Sequence, residues 1–174
     1  KGFFSQSLVD GMVALARGAQ VVITADINPG NPIRWAGLDA VKPNRGEAFA
    51  AAGAPASDPV EPVRDDSALF EVGRRLRDDW RCASLLVTLG EQGMLLFDGA
   101  EQPFHTPTRA REVFDVSGAG DTAIALFTLA LAAGASPREA AEISNHASGV
   151  AVGKLGTATV SPDELRQSFS SNHE

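Results

Sequence analysis

The chain has 174 residues, of which 44% are hydrophobic, and its formal net charge is −7 at pH 7. This length and apolar content are enough for one sizeable core, and no serine- or glycine-rich linker divides the sequence into separate domains. Nucleic acids and anionic membranes repel an acidic chain, so the charge disfavours both as partners.

Helical and strand patterns alternate along the first half of the chain. In chain order we predict a helix over about Ser5–Arg17, strands over Val21–Asp26 and Ala40–Lys42, an alanine-rich helix ending near Gly53, and a helix over about Ser67–Trp80. Such alternation is typical of α/β layers around a mainly parallel sheet.

The second half is expected to add an antiparallel part to the sheet and then three helices. Strands are predicted over Ala83–Val87 and Met94–Phe97, and Asp98-Gly99 is predicted to form a tight hairpin turn. The apolar run Ala123–Ala133 indicates a helix that ends at Gly134. This run is too short to span a bilayer and no signal peptide is recognised, which favours a cytoplasmic location.

A glycine-rich turn precedes that helix, and a short strand is predicted before the turn. Val113, Phe114 and Val116 have the apolar character of a buried strand. The turn itself runs from Asp115 to Asp121 and therefore opens a helix.

The turn has the outline of a phosphate site. At a helix start the first backbone N–H groups lack intrahelical partners and the macrodipole is positive, so the small residues Gly118, Ala119 and Gly120 would let an anion approach. If the turn only bound phosphate, a carboxylate beside it would repel the ligand. Asp121 is therefore better explained as a general base that takes a proton from a hydroxyl during phosphoryl transfer. The alternative is structural, with Asp121 favouring the helix N-terminus and the glycines making a turn.

Two named phosphate motifs fit less well. The chain contains no Gly-x-x-x-x-Gly-Lys-Ser/Thr, which excludes a P-loop. Gly118, Gly120 and Ala123 satisfy the dinucleotide fingerprint, but that motif needs a second strand after its helix with an acid at the strand end. A capping box at Ser136 and Glu139 starts another helix there instead, which disfavours a dehydrogenase.

Three segments resemble a known family. Asp115–Asp121 is similar to the C-terminal signature of the ribokinase-like (PfkB) carbohydrate kinases, with Ser117 where threonine is common. Asn145–Gly149 and Val152–Pro162 resemble the kinase half of heptose 7-phosphate kinase/ADP-heptose synthases, and the similarity runs from Lys1 to about Phe169. The resemblance implies a ribokinase-like α/β fold, with a mainly parallel sheet flanked by helices and an antiparallel part.

The resemblance also assigns the catalytic groups. Asp121 matches the base that deprotonates the sugar hydroxyl, and Gly118, Ala119 and Gly120 match the anion hole. The implied reaction is ATP-dependent phosphoryl transfer to a sugar hydroxyl, with a heptose 7-phosphate phosphorylated at its anomeric position as the leading substrate. Another sugar or a nucleoside is the runner-up, and a nucleotide-binding regulatory relative without catalysis is the non-enzymatic alternative.

Two segments, one of them already named, match the nucleotide side of the family. Asn145 and Gly149 lie in the segment that flanks the adenine. Thr88, Gly90 and Gly93 fit the Thr-x-Gly-x-x-Gly turn that reaches the nucleotide phosphates. Read locally, the same turn is only a connection between two strands.

The resemblance implies Mg²⁺, and many members of the family also hold a monovalent cation such as K⁺, which leaves K⁺ binding by this chain open. Asn44 and Glu47 match the Asn-x-x-Glu motif that organises Mg²⁺ and the phosphates through water. The same two residues have capping-box spacing, and both roles can coexist. Asp115 and Ser117, with carbonyls of residues 153–157, correspond to the monovalent-cation region.

The start of the chain corresponds to an internal segment of the family. Lys1-Gly2 resembles the end of an Asp-Tyr-x-Lys-Gly segment, so we expect an upstream half, with the lid that grips the sugar, outside this chain. Residues 1–174 are then the C-terminal portion of a single kinase domain, inactive when alone.

The chain departs from the family after the first strand. Heptose 7-phosphate kinases commonly show Asp-Pro-Lys where this chain has Asp26-Ile27-Asn28. The missing lysine weakens the prediction that a sugar phosphate is recognised here. Asp26 either faces the sugar or is an ordinary strand-end acid.

The expected partners follow from the same resemblance. They are a small-molecule sugar or sugar phosphate and, for the assembly, a second copy of the chain in a homodimer. Neither a nucleic acid nor a membrane is expected.

Overall fold

The structure is a computed structural model that describes residues 4–27, 30, 33–110 and 113–170. In this part of the chain the α-helices and strands are α1 (Gln6–Ala19), β1 (Thr24–Asp26), β2 (Ala40–Lys42), α2 (Arg45–Ala51), α3 (Ser67–Trp80), β3 (Ser84–Thr88), β4 (Met94–Phe97), β5 (Phe104–Thr106), α4 (Ala119–Ala132), α5 (Pro137–Val152) and α6 (Pro162–Ser170), and two short 3-10 helices lie at Val63–Asp65 and Gly90–Gln92. None of these helices combines the length and apolarity needed to cross a membrane. The first strand is shorter than predicted, because it begins at Thr24 rather than Val21.

The strands form one mixed sheet in sequential order. β1 and β2 are parallel, as are β2 and β3, whereas β4 runs antiparallel to β3 and β5 runs antiparallel to β4. The register places Asp26 opposite Lys42 and Leu85 opposite Phe97. The predicted α/β fold with a parallel and an antiparallel part is confirmed.

Both faces of the sheet are covered, and alternate residues of β3 point into different cores. Leu85 and Val87 pack in a cluster with residues of α2 and α3, such as Leu69. Leu86 points to the other face and packs in a cluster with Phe127 of α4. Because both faces of the sheet are buried, β3 and β4 have runs of consecutive apolar residues rather than an alternation of apolar and polar residues.

Side chains fix the starts of α2 and α5. Both predicted capping boxes form, one between Asn44 and Glu47 at α2 and one between Ser136 and Glu139 at α5. The start of α4 is different, because its N-cap residue Gly118 has no side chain to offer. The first turn of α4 therefore lacks side-chain caps.

The segment 113–116 is not the buried strand that its apolar residues predict. Val113, Phe114 and Val116 are more than half exposed and belong to no strand. The N–H groups of Phe114 and Asp115 donate to the carbonyl of Val152, at the end of α5, over 2.8 and 3.2 Å. A helix terminus thus satisfies this backbone, and no neighbouring strand is needed.

The connection after β4 also differs from the prediction. Residues 98–103 form a longer loop rather than a tight turn at Asp98-Gly99. Asp98 Oδ1 accepts a hydrogen bond from Ala100 N at 3.0 Å, and its Oδ2 lies 2.9 Å from Arg138 Nε of α5. An ion pair with a distant helix holds this loop, and local turn rules do not contain that information.

Gly73 gives a test of how tightly α3 packs on the sheet. A Cβ at this position would lie 2.1 Å from Cζ of Phe97, whose ring is itself buried. We expect Gly73→Ala to lower the free energy of unfolding by about 1–3 kcal/mol, because overpacking outweighs the better helix propensity of alanine. Urea unfolding measures the change.

The matched control is Gly11→Ala in α1, where an added Cβ has no neighbour within 4 Å. This variant should gain about 0.5–1 kcal/mol from helix propensity. A similar gain in Gly73→Ala would show that the contact between α3 and Phe97 is loose.

Candidate active site

The carboxyl ends of the three parallel strands meet the start of α4 at one edge of the sheet. These ends are Asp26 of β1, Lys42 of β2 and Thr88 of β3. A hydrogen bond of 2.7 Å between the hydroxyls of Thr24 and Thr128 ties α4 to β1. In open α/β sheets this is the edge at which ligands bind.

The turn before α4 leaves backbone N–H groups without partners. Ala119 donates its N–H to a carbonyl three residues earlier at 3.2 Å, and the next bond runs from Thr122 N to the carbonyl of Gly118 at 2.9 Å. The N–H groups of Gly120 and Asp121 have no hydrogen-bond partner among the described residues. Free N–H groups at the positive end of a helix form a site for an anion.

Only glycine fits at Gly118, and the chain around it is held by Asp115. The φ of Gly118 is +80°, and a Cβ there would lie 2.9 Å from Cγ2 of Thr157. Asp115 accepts hydrogen bonds from Ser117 N at 2.8 Å and from Gly156 N at 3.1 Å. These bonds, chiefly that from the Ser117 backbone, lower the pKa of the Asp115 carboxyl. The ionised carboxylate of Asp115 thus joins the loop around residue 156 to the turn through hydrogen bonds.

Asp121 is available for proton transfer. It lies in the first turn of α4, is exposed, and makes no side-chain hydrogen bond or ion pair with any other described residue. A carboxylate engaged by a partner would have to break that contact before accepting a proton. Asp121 has no such contact to break within the described part of the chain.

Lys42 is a residue of this edge that the sequence did not single out. Its Nζ lies 2.9 Å from Oδ2 of Asp26, and a Cβ placed on Gly120 would lie 3.3 Å from the same Nζ. The signal for it was its position at the carboxyl end of a buried parallel strand, where side chains approach the ligand edge. Asn28 and Pro29, where the chain departs from the heptose 7-phosphate kinases, lie outside the described residues.

A cavity of about 440 Å³ lies beside the turn, between the end of β3 and α5. Its volume is within the usual range for small-molecule and cofactor sites. Most of the residues predicted to bind the nucleotide or the transferred group line it, namely Thr88, Gly90, Gly93, Ala119, Gly120, Asn145 and Gly149. The exposed Val113 and Val116 add an apolar wall. Gly118, Asp121, Asn44, Glu47, Asp115 and Ser117 are not among the lining residues.

Three of the lining residues shape the wall through close packing. A Cβ on Gly93 would lie 2.2 Å from the carbonyl oxygen of Thr106, and one on Gly149 would lie 2.8 Å from the backbone of Arg109. Asn145 is buried, and its amide donates to the carbonyl of Pro107 at 2.6 Å. These residues let the segment 106–110 approach α5 and β4, and that segment closes one side of the cavity.

The capping box between Asn44 and Glu47 limits what the two residues can offer a magnesium ion. Asn44 Oδ1 accepts from Glu47 N at 2.9 Å, and Glu47 Oε2 accepts from Asn44 N at 2.7 Å. One carboxylate oxygen, Oε1 of Glu47, is left without a hydrogen bond within the described chain. Octahedral Mg²⁺ keeps several waters in such surroundings. No cluster of three or more His, Cys, Asp or Glu side chains suited to a metal occurs among the described residues.

Comparison with known proteins identifies the family. The sequence model of the pfkB family carbohydrate kinases matches residues 33–164. The chain belongs to this family. It is 40% identical over 173 residues to the bifunctional protein HldE of Geobacter sulfurreducens and 42% identical over 158 residues to that of Sodalis glossinidius. These matches cover 99% and 91% of this chain but 34% and 31% of the relatives. The pfkB-family chain therefore spans about a third of the length of the curated relatives it matches.

Solved structures share the fold. The structure of Arabidopsis thaliana ribokinase complexed with ribose and ATP has a TM-score of 0.81 at 22% identity, and the match covers 95% of this chain and 53% of that one. Escherichia coli phosphofructokinase-2 in complex with potassium has a TM-score of 0.77 at 19% identity, with 97% and 53% covered. The ribokinase-like fold predicted for this pfkB-family chain is confirmed.

Proposed function

We propose that the protein transfers the γ-phosphoryl group of ATP to a sugar hydroxyl. The observation that carries the proposal is the position of Asp121. This exposed carboxylate has no partner among the described residues, and it stands in the first turn of α4 beside the free N–H group of Gly120. Gly120 in turn lines the cavity of about 440 Å³.

The chemistry assigned to the site has two parts. Asp121 accepts the proton of the sugar hydroxyl while the oxygen forms its bond to phosphorus and the bond to the departing ADP breaks. The N–H groups of Gly120 and Asp121, at the positive end of α4, stabilise the negative charge of the phosphoryl group during transfer. Gly118 has no side chain, and Ala119 has only a methyl group.

The nucleotide is assigned to the cavity beside the turn. Val113 and Val116 would cover one face of the base with apolar surface, and Thr88 and Gly90, which line the same cavity, would contact the phosphates. Membership in the kinase family and the fold shared with a ribokinase complexed with ribose and ATP support ATP as the donor. Glu47, through water, is the residue that would hold Mg²⁺.

A monovalent cation is proposed at Asp115. The proposed ligands are its carboxylate, the backbone carbonyl of Ser117 and carbonyls of residues 153–157. All of these are oxygens, which K⁺ prefers as a hard cation. The fold neighbour phosphofructokinase-2 was solved in complex with potassium, which supports the proposal.

The proposed acceptor is a heptose 7-phosphate at its anomeric hydroxyl. The support is the resemblance of residues 145–162 to heptose 7-phosphate kinases and the similarity to HldE proteins. Another sugar or a nucleoside is the alternative acceptor. The inactivity of the 174-residue chain on its own and a cytoplasmic location both remain predictions.

Coupled ADP release over a panel of heptose 7-phosphate, common hexoses and nucleosides tests the function in the full-length protein. Turnover highest with heptose 7-phosphate supports the finer proposal, and turnover highest with another acceptor supports the alternative. Nucleotide binding without turnover on any acceptor would contradict the kinase and favour a regulatory relative.

Gly120→Val tests whether the nucleotide phosphates approach the turn. A β-branched side chain there would shield the free N–H groups and meet Lys42, because a Cβ alone already lies 3.3 Å from Nζ. We expect the affinity for Mg·ATP to fall by about tenfold or more, the 1.4 kcal/mol of one good contact, with little change in melting temperature. Isothermal titration calorimetry and thermal unfolding measure the two effects.

The matched control is Gly18→Val, which adds the same side chain to α1 where a Cβ has no neighbour within 4 Å. It should leave the nucleotide affinity unchanged. Equal affinities in a folded Gly120→Val protein would show that the phosphates bind elsewhere.

A further inference from the structure

Lys42 is a buried cation that has no role in the reaction described above. Its side chain is 4% exposed, and its one ion pair among the described residues is with Asp26, whose side chain is 35% exposed. Lysine is almost never fully buried unless it is paired. Asp26 and Lys42 are register partners at the carboxyl ends of β1 and β2, so the two strands hold the pair at the ligand edge.

The position of this cation is electrostatically unusual. The ammonium nitrogen would lie 3.3 Å from a Cβ on Gly120, so it is next to the first turn of α4. A helix N-terminus carries a partial positive charge, and a cation beside it is unfavourable by itself. Two carboxylates offset this repulsion in part, that of Asp26, which water reaches, and that of Asp121 in the same first turn, which is exposed. The arrangement becomes favourable when a further negative charge arrives at the same turn.

We propose that Lys42 stabilises the negative charge of the phosphoryl group bound at the start of α4, and that Asp26 positions its ammonium. This inference rests on the proposed phosphoryl transfer and adds a residue to it. The ammonium acts together with the free N–H groups of Gly120 and Asp121, and the buried surroundings strengthen its field. An ion pair with a purely structural role would join β1 to β2 without distinguishing a phosphorylated ligand from a neutral one.

The test compares a phosphorylated ligand with a neutral one in the full-length protein. Lys42→Met removes the charge and keeps the length of the side chain. We expect it to weaken the binding of a non-hydrolysable Mg·ATP analogue and to lower kcat by about 10²-fold, the loss typical of one charge-stabilising group. The affinity for adenosine should stay within about twofold of the wild type, because a neutral ligand does not sense the charge.

Two further variants keep the result interpretable. Asp26→Asn/Lys42→Met removes both charges, so it leaves no unpaired carboxylate and provides a folded protein if Lys42→Met alone is unstable. Arg138→Met is the matched control, because Arg138 and Asp98 also form an ion pair of 2.9 Å but at the opposite edge of the sheet. It should leave both affinities and kcat unchanged.

The outcomes separate this inference from the proposed function. Equal losses for the ATP analogue and adenosine, or no loss for either, in folded variants without the ammonium would overturn the role of Lys42. The binding comparison needs no turnover and therefore decides that role whatever the acceptor panel gives. Absence of turnover in the wild type, by contrast, overturns the proposed function alone.

Discussion

Asp121→Asn is expected to lower the turnover of the full-length protein by roughly 10²–10⁴-fold, the usual contribution of a general base. Asparagine has almost the same shape as aspartate but cannot accept the proton of the acceptor hydroxyl. The carboxylate makes no side-chain hydrogen bond or ion pair with other described residues, so its loss should cost little stability. Coupled ADP release and calorimetric titration with Mg·ATP measure turnover and binding separately.

Asp163→Asn is a suitable control for this variant. Asp163 also lies in the first turn of a helix, α6, and it pairs with Arg166 on that helix. The control removes a carboxylate of the same type from outside the glycine-rich turn and should keep full activity. If Asp121→Asn retained more than about half of the wild-type kcat, Asp121 would not be the base.

Arg45→Ala is expected to be among the most destabilising single substitutions in the chain. Nη1 of Arg45 lies 2.7 Å from Oδ2 of Asp66, and these side chains are 13% and 2% exposed. Neither atom makes a well-directed hydrogen bond, so the contact is an ion pair. Its removal leaves a buried carboxylate without a countercharge, which costs about 3–5 kcal/mol. Hydrogen bonds from the guanidinium to the carbonyls of Ser57 and Asp58, at 3.0 and 2.8 Å, are lost as well.

Urea unfolding of a double-mutant cycle separates these contributions. Asp66 also caps α3 by accepting from Leu69 N at 3.0 Å, and asparagine caps a helix equally well. In an Asp66→Asn background, Arg45→Ala should therefore cost much less, because no charge is left unpaired. Equal costs in both backgrounds would mean that the ion pair contributes nothing. The exposed pair Arg75–Asp79 is the surface control, and Arg75→Ala should cost no more than about 0.5 kcal/mol.

Features decided by neighbouring residues were predicted well. The capping boxes at Asn44 and Ser136 depend on side chains three residues apart, and the opening of α4 after Gly118 depends on a short glycine-rich turn. The strand Met94–Phe97 was recognised from its continuous apolar sequence. The motif that carries the proposed base could be identified for the same reason, since it is contiguous in the sequence.

Features decided by distant elements were missed or predicted wrongly. Val113 and Val116 resemble a buried strand in composition, yet they lie exposed at a cavity, because α5 supplies the hydrogen-bond acceptor for the backbone between them. β5 has only three residues with a histidine in the middle, so its pattern is too short to be recognised, and it exists through pairing with β4.

The sequence by itself determined the α/β class, the position of the phosphate-type turn and the family resemblance, because each depends on residues within a few positions of one another. Only the tertiary structure showed that Lys42 meets Asp26 beside Gly120 and that Asn145 holds the wall of the cavity. These contacts join strands, turns and helices separated by 16 to 78 residues. Their geometry is set by sheet register and helix packing, which no local pattern of residues encodes.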